Sequence, residues 1–180
     1  WGDTGWRLLV SEIFKQVLDD GVDFEGSISY HRMVAELFLW PALYRKIKDK
    51  GVPELYYERL RKMASFSAAY SGSNGLAPLW GDAGDGRPFI FGAQSPSQHG
   101  YLPALISLAV DEVVHGCPPP DAAGEIIWSL GAAAWQTAKA AAAQELRSVS
   151  FPSAGHYIMV GRHSQVFIDC GPVGYGGRGG

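Results

Sequence analysis

The stretch from Arg147 to Asp169 reads RSVSFPSAGHYIMVGRHSQVFID, and it decides the fold class. Val149, Phe151, Tyr157, Met159, Val166, Phe167 and Ile168 favour strands, with breaks at Pro152-Ser153 and around Arg162-His163-Ser164. Two or three antiparallel strands joined by tight turns are expected. So few strands make no independent sheet with a buried face. Upstream the apolar period is helical. Helices first and strands second imply an α+β chain, mainly α, or two consecutive domains. The boundary falls near residue 147: a helical unit over 1–147, then the beginning of an antiparallel β domain over 148–180 that is expected to be cut short.

Before this stretch, Trp6, Leu9, Val10, Ile13, Val17 and Leu18 recur at helical spacing from about Asp3 to Asp19. A loop at Val22 to Ser29 leads to a second helix from about Tyr30 to Lys48, in which Pro41 should introduce a kink or an early end. A third helix starts with Pro53 in its first position and ends at Gly72. Residues Leu76 to Gly100 form a long connection rich in Gly, Pro, Ser and Asp, and long connections are often functional. Helices resume at Leu102 to His115 and at Ala122 to Leu130. The alanine-rich run from Ala132 to Arg147 is either an exposed helix or a partly ordered linker.

Composition excludes several classes. Apolar residues are 47% and charged residues 18%, a globular balance. No apolar run approaches the roughly 20 residues that span a bilayer. A net charge of −3 argues against a nucleic-acid surface. Cys117 and Cys170 are isolated and read as buried or free thiols, a disulfide between them staying open. The chain begins with Trp1 and not Met, so the lack of a signal peptide decides nothing about compartment.

Three motifs bear on chemistry. Gly174-x-Gly176-x-x-Gly179 fits a dinucleotide fingerprint in spacing alone, since no helix follows within a βαβ unit. Asp82 to Arg87 (DAGDGR) resembles a calcium loop, but glycines stand where oxygen ligands are needed. Its plain reading is a tight turn with Arg87 paired to one of its aspartates; its sharper reading puts Trp80, Asp82 and Arg87 against a substrate. The segment Glu25 to His31 (EGSISYH) gathers a carboxylate, two hydroxyls, a phenol and an imidazole at a loop-to-helix junction. Either these residues meet a ligand, or Ser27 or Ser29 caps the helix, Tyr30 packs its ring and His31 satisfies a carbonyl. The other histidines show no ligand spacing.

Taken in order, Asp20-Gly21-x-x-Phe24-Glu25-Gly26-Ser27-x-x-Tyr30-His31, Leu79-Trp80-Gly81-Asp82-x-x-Asp85-Gly-Arg87, Phe151-Pro-x-x-Gly155-His-Tyr157 and Ile168-Asp169-x-Gly171-Pro172 resemble the heparinase II/III family of polysaccharide lyases. The resemblance implies an incomplete α/α toroid followed by the first strands of a β-sandwich domain. It implies β-elimination on an acidic, uronate-containing polysaccharide, with Tyr30 as the catalytic acid. Glu25, His31, Trp80, Asp82 and Arg87 are then candidates for substrate contact, and a periplasmic or secreted location is expected. Adjacent helical residues point about 100° apart, so Tyr30 and His31 are not expected to share a face.

The chain departs from the family pattern in lacking an Asn-His pair, Asn74 being its only asparagine. It also ends where the family's His-x-His stretch, and in some members a zinc ion, would follow, so no cofactor is assigned to the chain itself. On its own it is expected to be inactive. Two other readings stay open. One is a glycoside hydrolase using Glu25 with Asp82 or Asp85. The other is a non-catalytic glycan-binding module in which Trp40, Trp80 and Tyr101 line a groove.

Overall fold

The computed structural model describes residues 2–92, 95–110, 113–143 and 145–172. The glycine fingerprint at Gly174, Gly176 and Gly179 lies outside them. Six α-helices are described: α1 (Gly2–Gln16), α2 (Ile28–Ile47), α3 (Glu54–Tyr70), α4 (Tyr101–Ala109), α5 (Ala123–Leu130) and α6 (Ala132–Lys139). Three strands follow, β1 (Val149–Phe151), β2 (His156–Val160) and β3 (Gln165–Asp169), in a β1-β2-β3 antiparallel meander.

The main core forms where α1 to α4 turn their apolar stripes together. Ile13, Phe38, Leu39, Tyr56, Leu60, Met63, Leu102 and Leu105 are all buried there. Burial of Phe38, Leu39, Ala42 and Leu43 on either side of Pro41 explains why α2 runs on for 20 residues through it. Each large side chain contributes about 1.5–3 kcal/mol on burial, together more than the roughly 3 kcal/mol that an internal proline costs. Pro53 sits one place earlier than expected, as the cap before α3.

Two helices are shorter than their sequence suggests. Helix α4 stops at Ala109 and not at His115, and Val113 beyond it is 87% exposed, with no core to join. Helix α6 packs Ala138 and Trp135 near Ala104 and Ile126, then ends at Lys139. The alanines after it have helix propensity but little to bury, and short helices draw most of their stability from packing.

A second apolar cluster joins the strands to the helices. Phe151, Ala154 and Ile158 meet Val22, Ile28, Phe66 and Tyr70. The register pairs Phe151 with His156, and Ile158 with both Val149 and Phe167. The helices therefore supply the buried face that three strands need. Polar ties reinforce the contact: Ala154 N–H donates to Asp20 Oδ2 at 3.1 Å, and Gln165 Nε2 donates to the Ala69 carbonyl at 3.0 Å.

Candidate active site

The second cluster lies beneath the junction between the Phe24 to Ser27 loop and α2. Ser27 is the helix cap, its Oγ accepting from Tyr30 N–H at 3.4 Å and donating to the Asp82 carbonyl at 2.6 Å. Ile28 N–H donates to the Trp80 carbonyl at 3.1 Å. The capping alternative for Ser27 thus holds, and the cap also brings the Trp80 to Asp85 segment onto the start of α2. That segment comes very close. A Cβ on Gly84 would stand 3.1 Å from Tyr30 Cε1, and one on Gly81, whose φ is +73°, would stand 2.8 Å from Ser27 Cα. Only glycine fits such approaches without displacement.

Tyr30 is half-buried, its ring resting beside Gly84. Glu25 is also half-buried, and its carboxyl is raised above the usual range by burial, then by the negative charges of Asp23 and Asp82. Asp82 and Asp85 are exposed. Trp80 leans over His156, ring centroids 4.4 Å apart, and meets Phe167 at 5.4 Å. His156 is buried, stands 3.6 Å from Asp169 Oδ1, and would be 3.5 Å from a Cβ on Gly26. Its imidazole is pushed down by burial, against the pull of Asp169 and Asp23. Glu25, Tyr30, Trp80 and Asp82 are thereby gathered around one loop junction, with β2 as its floor.

Two expected substrate contacts face elsewhere. His31 is fully buried, its Nε2 3.1 Å from Ser67 Oγ and 3.3 Å from the Met63 carbonyl, so it satisfies the core rather than a ligand. One residue along a helix is enough to turn it from Tyr30's face. Arg87 pairs neither with Asp82 nor with Asp85. Its Nη2 donates to Glu36 Oε1 at 2.7 Å, its Nη1 donates to Glu125 Oε1 at 2.8 Å, and its guanidinium lies 4.7 Å over the Tyr101 ring. Its side chain is 6% exposed and pins the long connection to α2 and α5. Tyr101 is buried and donates to Glu36, while Trp40 packs against Phe89 and Phe91, so these aromatics do not line a groove with Trp80.

The sequence pointed to His156 only as a structural or surface histidine without ligand spacing, and did not single out Asp23. The signal for His156 was available: it alternates with Ile158 on the buried face of β2, where a polar residue needs a reason. Asp23 had none, because its surroundings come from α2 and β2, far along the chain. Both cysteines are free and exposed. Among the described residues no group of three or more His, Cys, Asp or Glu side chains is placed to hold a metal ion, and no helix is long and apolar enough to cross a membrane. A cleft of about 760 Å³ opens between α1, Phe24 and Ser153, but Glu25, Tyr30, Trp80 and Asp82 do not line it.

Comparison with known proteins places these features in a family. Residues 1–91 match the model for the heparinase II/III N-terminus. A heparin-sulfate lyase of Pedobacter heparinus is 32% identical over 85 residues, 46% of this chain and 13% of that protein. The solved Heparinase III-BT4657 gene product superposes with a TM-score of 0.59 at 19% identity, over 96% of this chain and 24% of the solved one. A form of the same product with methylated lysines gives 0.58 at 18%, over 94% and 24%. The structural likeness carries the fold, an α/α-toroid segment followed by antiparallel strands. The chain spans about an eighth of its curated relative and a quarter of the solved structures. With half of its length matched by the family model and its fold shared with a heparinase III, the chain belongs to the heparinase II/III family.

Proposed function

We propose that the whole protein is a polysaccharide lyase acting on an acidic, uronate-containing polysaccharide, with Tyr30 as proton donor. One observation carries this reading: a half-exposed phenol in the first turn of α2, held by the Ser27 cap on one side and Gly84 on the other. In β-elimination a base takes the C5 proton of the uronate, the C4=C5 double bond forms, and the C4–O4 bond breaks with its electron pair leaving on O4. Tyr30 gives its proton to that oxygen. A phenol is an adequate acid for an alkoxide-like leaving group, given hydrogen-bond reach of about 2.6–3.2 Å. Glu25 and Asp82 at the rim suit hydroxyl contacts with the sugar, and Trp80 offers an aromatic face. The relative's name, heparin-sulfate lyase, supports an acidic substrate. A large acidic polymer as substrate supports a periplasmic or secreted location for the whole protein.

A hydrolase reading has one supporting observation, the raised Glu25 carboxyl near Asp82, since a protonated carboxyl is what a glycosidase acid needs. The products separate the two. Full-length protein incubated with uronate polysaccharides is expected to release chains ending in an unsaturated uronate, which absorbs in the ultraviolet. New reducing ends without that absorbance would replace the lyase with a hydrolase.

A further inference from the structure

Under the loop that carries Glu25 lies a polar pair inside an apolar cluster. Asp23 and His31 are both fully buried, with Asp23 Oδ1 3.6 Å from His31 Nδ1. Neither Asp23 oxygen nor His31 Nδ1 has a hydrogen bond among the described residues. Phe66 and Tyr70 set their rings at right angles to the imidazole, at 4.8 and 5.9 Å. A buried carboxylate without a partner costs several kcal/mol, so such an arrangement persists only if something compensates it. The opposite nitrogen, Nε2, already faces Ser67 and Met63. With Ser67 Oγ donating to Nε2, Nδ1 carries the ring proton and is the atom that can serve Asp23; 3.6 Å is a few tenths of an ångström beyond an ordinary N–H···O contact.

The pair also spans the two ends of the loop. The Asp23 carbonyl accepts from Gly26 N–H at 3.1 Å, and Asp23 itself bridges to Val17 at the end of α1. His31 follows Tyr30 directly, and its N–H closes the first turn of α2 on the Ser27 carbonyl at 2.8 Å. Whatever fixes the His31 ring fixes the turn on which Tyr30 rides. We propose that Asp23 and His31 are a positioning pair: the Asp23 carboxylate accepts the Nδ1 proton of His31, locks the imidazole between α3 and the loop, and so holds Tyr30 in register with Gly84. Neither group touches substrate. The Tyr30 consequence rests on the lyase reading; the pairing does not.

The test uses the full-length protein with nitrogen-15 histidine and carbon-13 tyrosine, His31 and Tyr30 being assigned through His31→Gln and Tyr30→Phe. His31 is expected to show a slowly exchanging, downfield Nδ1 proton. Asp23→Ala should abolish that proton and move the Tyr30 ring resonances. Asp23→Asn, whose amide oxygen still accepts, should keep both near wild type, and it serves if the alanine variant fails to fold. In turnover, Asp23→Ala should lose on the order of 100-fold in kcat, as a small misplacement of a reacting group does, with KM little changed and most of kcat restored in Asp23→Asn. An unprotonated Nδ1 in the wild type, or Tyr30 resonances unmoved in Asp23→Ala, overturns the proposal. If Tyr30→Phe keeps full activity, the lyase role of Tyr30 falls, while the resonance measurements still decide the pairing.

Discussion

Trp80 stacks on His156 across the boundary between helices and strands, with ring centroids 4.4 Å apart and planes inclined by 42°. One residue belongs to the long connection that clamps α2, the other to the central strand of the meander. The contact makes the floor of the site depend on both parts of the chain. Trp80→Ala is expected to lower stability by about 1–3 kcal/mol, less than the loss of a core aromatic because Trp80 is half-buried. It should weaken the strand-to-helix contact first. Hydrogen exchange in β2 and β3, rising before exchange in α3, would check this.

Arg87 distinguishes a buried ion pair from a substrate contact. Its replacement by Met strips Glu36 of its cation inside the protein. Breaking such a pair from one side typically costs about 3–5 kcal/mol. Chemical denaturation should show that loss. Any activity that survives in the folded fraction should keep a KM near wild type, because the guanidinium does not face the site.

Gly84→Ala places a methyl 3.1 Å from the Tyr30 ring. The ring has to yield by a few tenths of an ångström, a fraction of the roughly 1 Å misplacement that costs about 100-fold in rate. We expect kcat to fall by roughly 3- to 10-fold with a small change in melting temperature. Steady-state kinetics beside a thermal melt would separate the two effects.

His99 gives a pH signature. Burial holds its imidazole down at about 3, below the ordinary 6.5, so the folded protein keeps it neutral. The unfolded chain binds a proton there from about pH 6.5 downward, whereas the folded chain does so only near pH 3. Stability from this group is thus intact above pH 6.5 and declines as pH falls toward 3, by up to about 1.4 kcal/mol per pH unit. His99→Gln should lower the plateau, since Tyr70 loses its ring partner at 3.0 Å, and should flatten the slope between pH 6 and about pH 4. Denaturation midpoints across that range would show it.

The class of fold was legible because hydrophobic period is a local property. The helical spacing around Trp6, Val34 and Leu60, and its loss after Arg147, correspond to α1 to α3 and β1 to β3. Helix ends were less legible where packing decides them. Nothing local says that Val113 has no core to join, or that α6 ends while alanines continue. The loop Glu25 to Tyr30 was legible as a chemical cluster, and the angular offset of His31 followed from helix geometry alone. The partners of Arg87 were not, because Glu36 and Glu125 lie 51 and 38 residues away and meet it only in the folded core. Asp23 was hidden for the same reason, whereas the alternation of His156 with Ile158 along β2 was there to be read.

If Tyr30 delivers the proton to the leaving oxygen, Tyr30→Phe in the full-length protein removes that proton and little else. The substitution removes one hydroxyl and leaves the ring beside Gly84, so the fold and polysaccharide binding should be unchanged. Release of ultraviolet-absorbing unsaturated uronate should fall by at least about 100-fold, the scale of general acid catalysis. Release at the wild-type rate from a folded Tyr30→Phe protein would contradict that role.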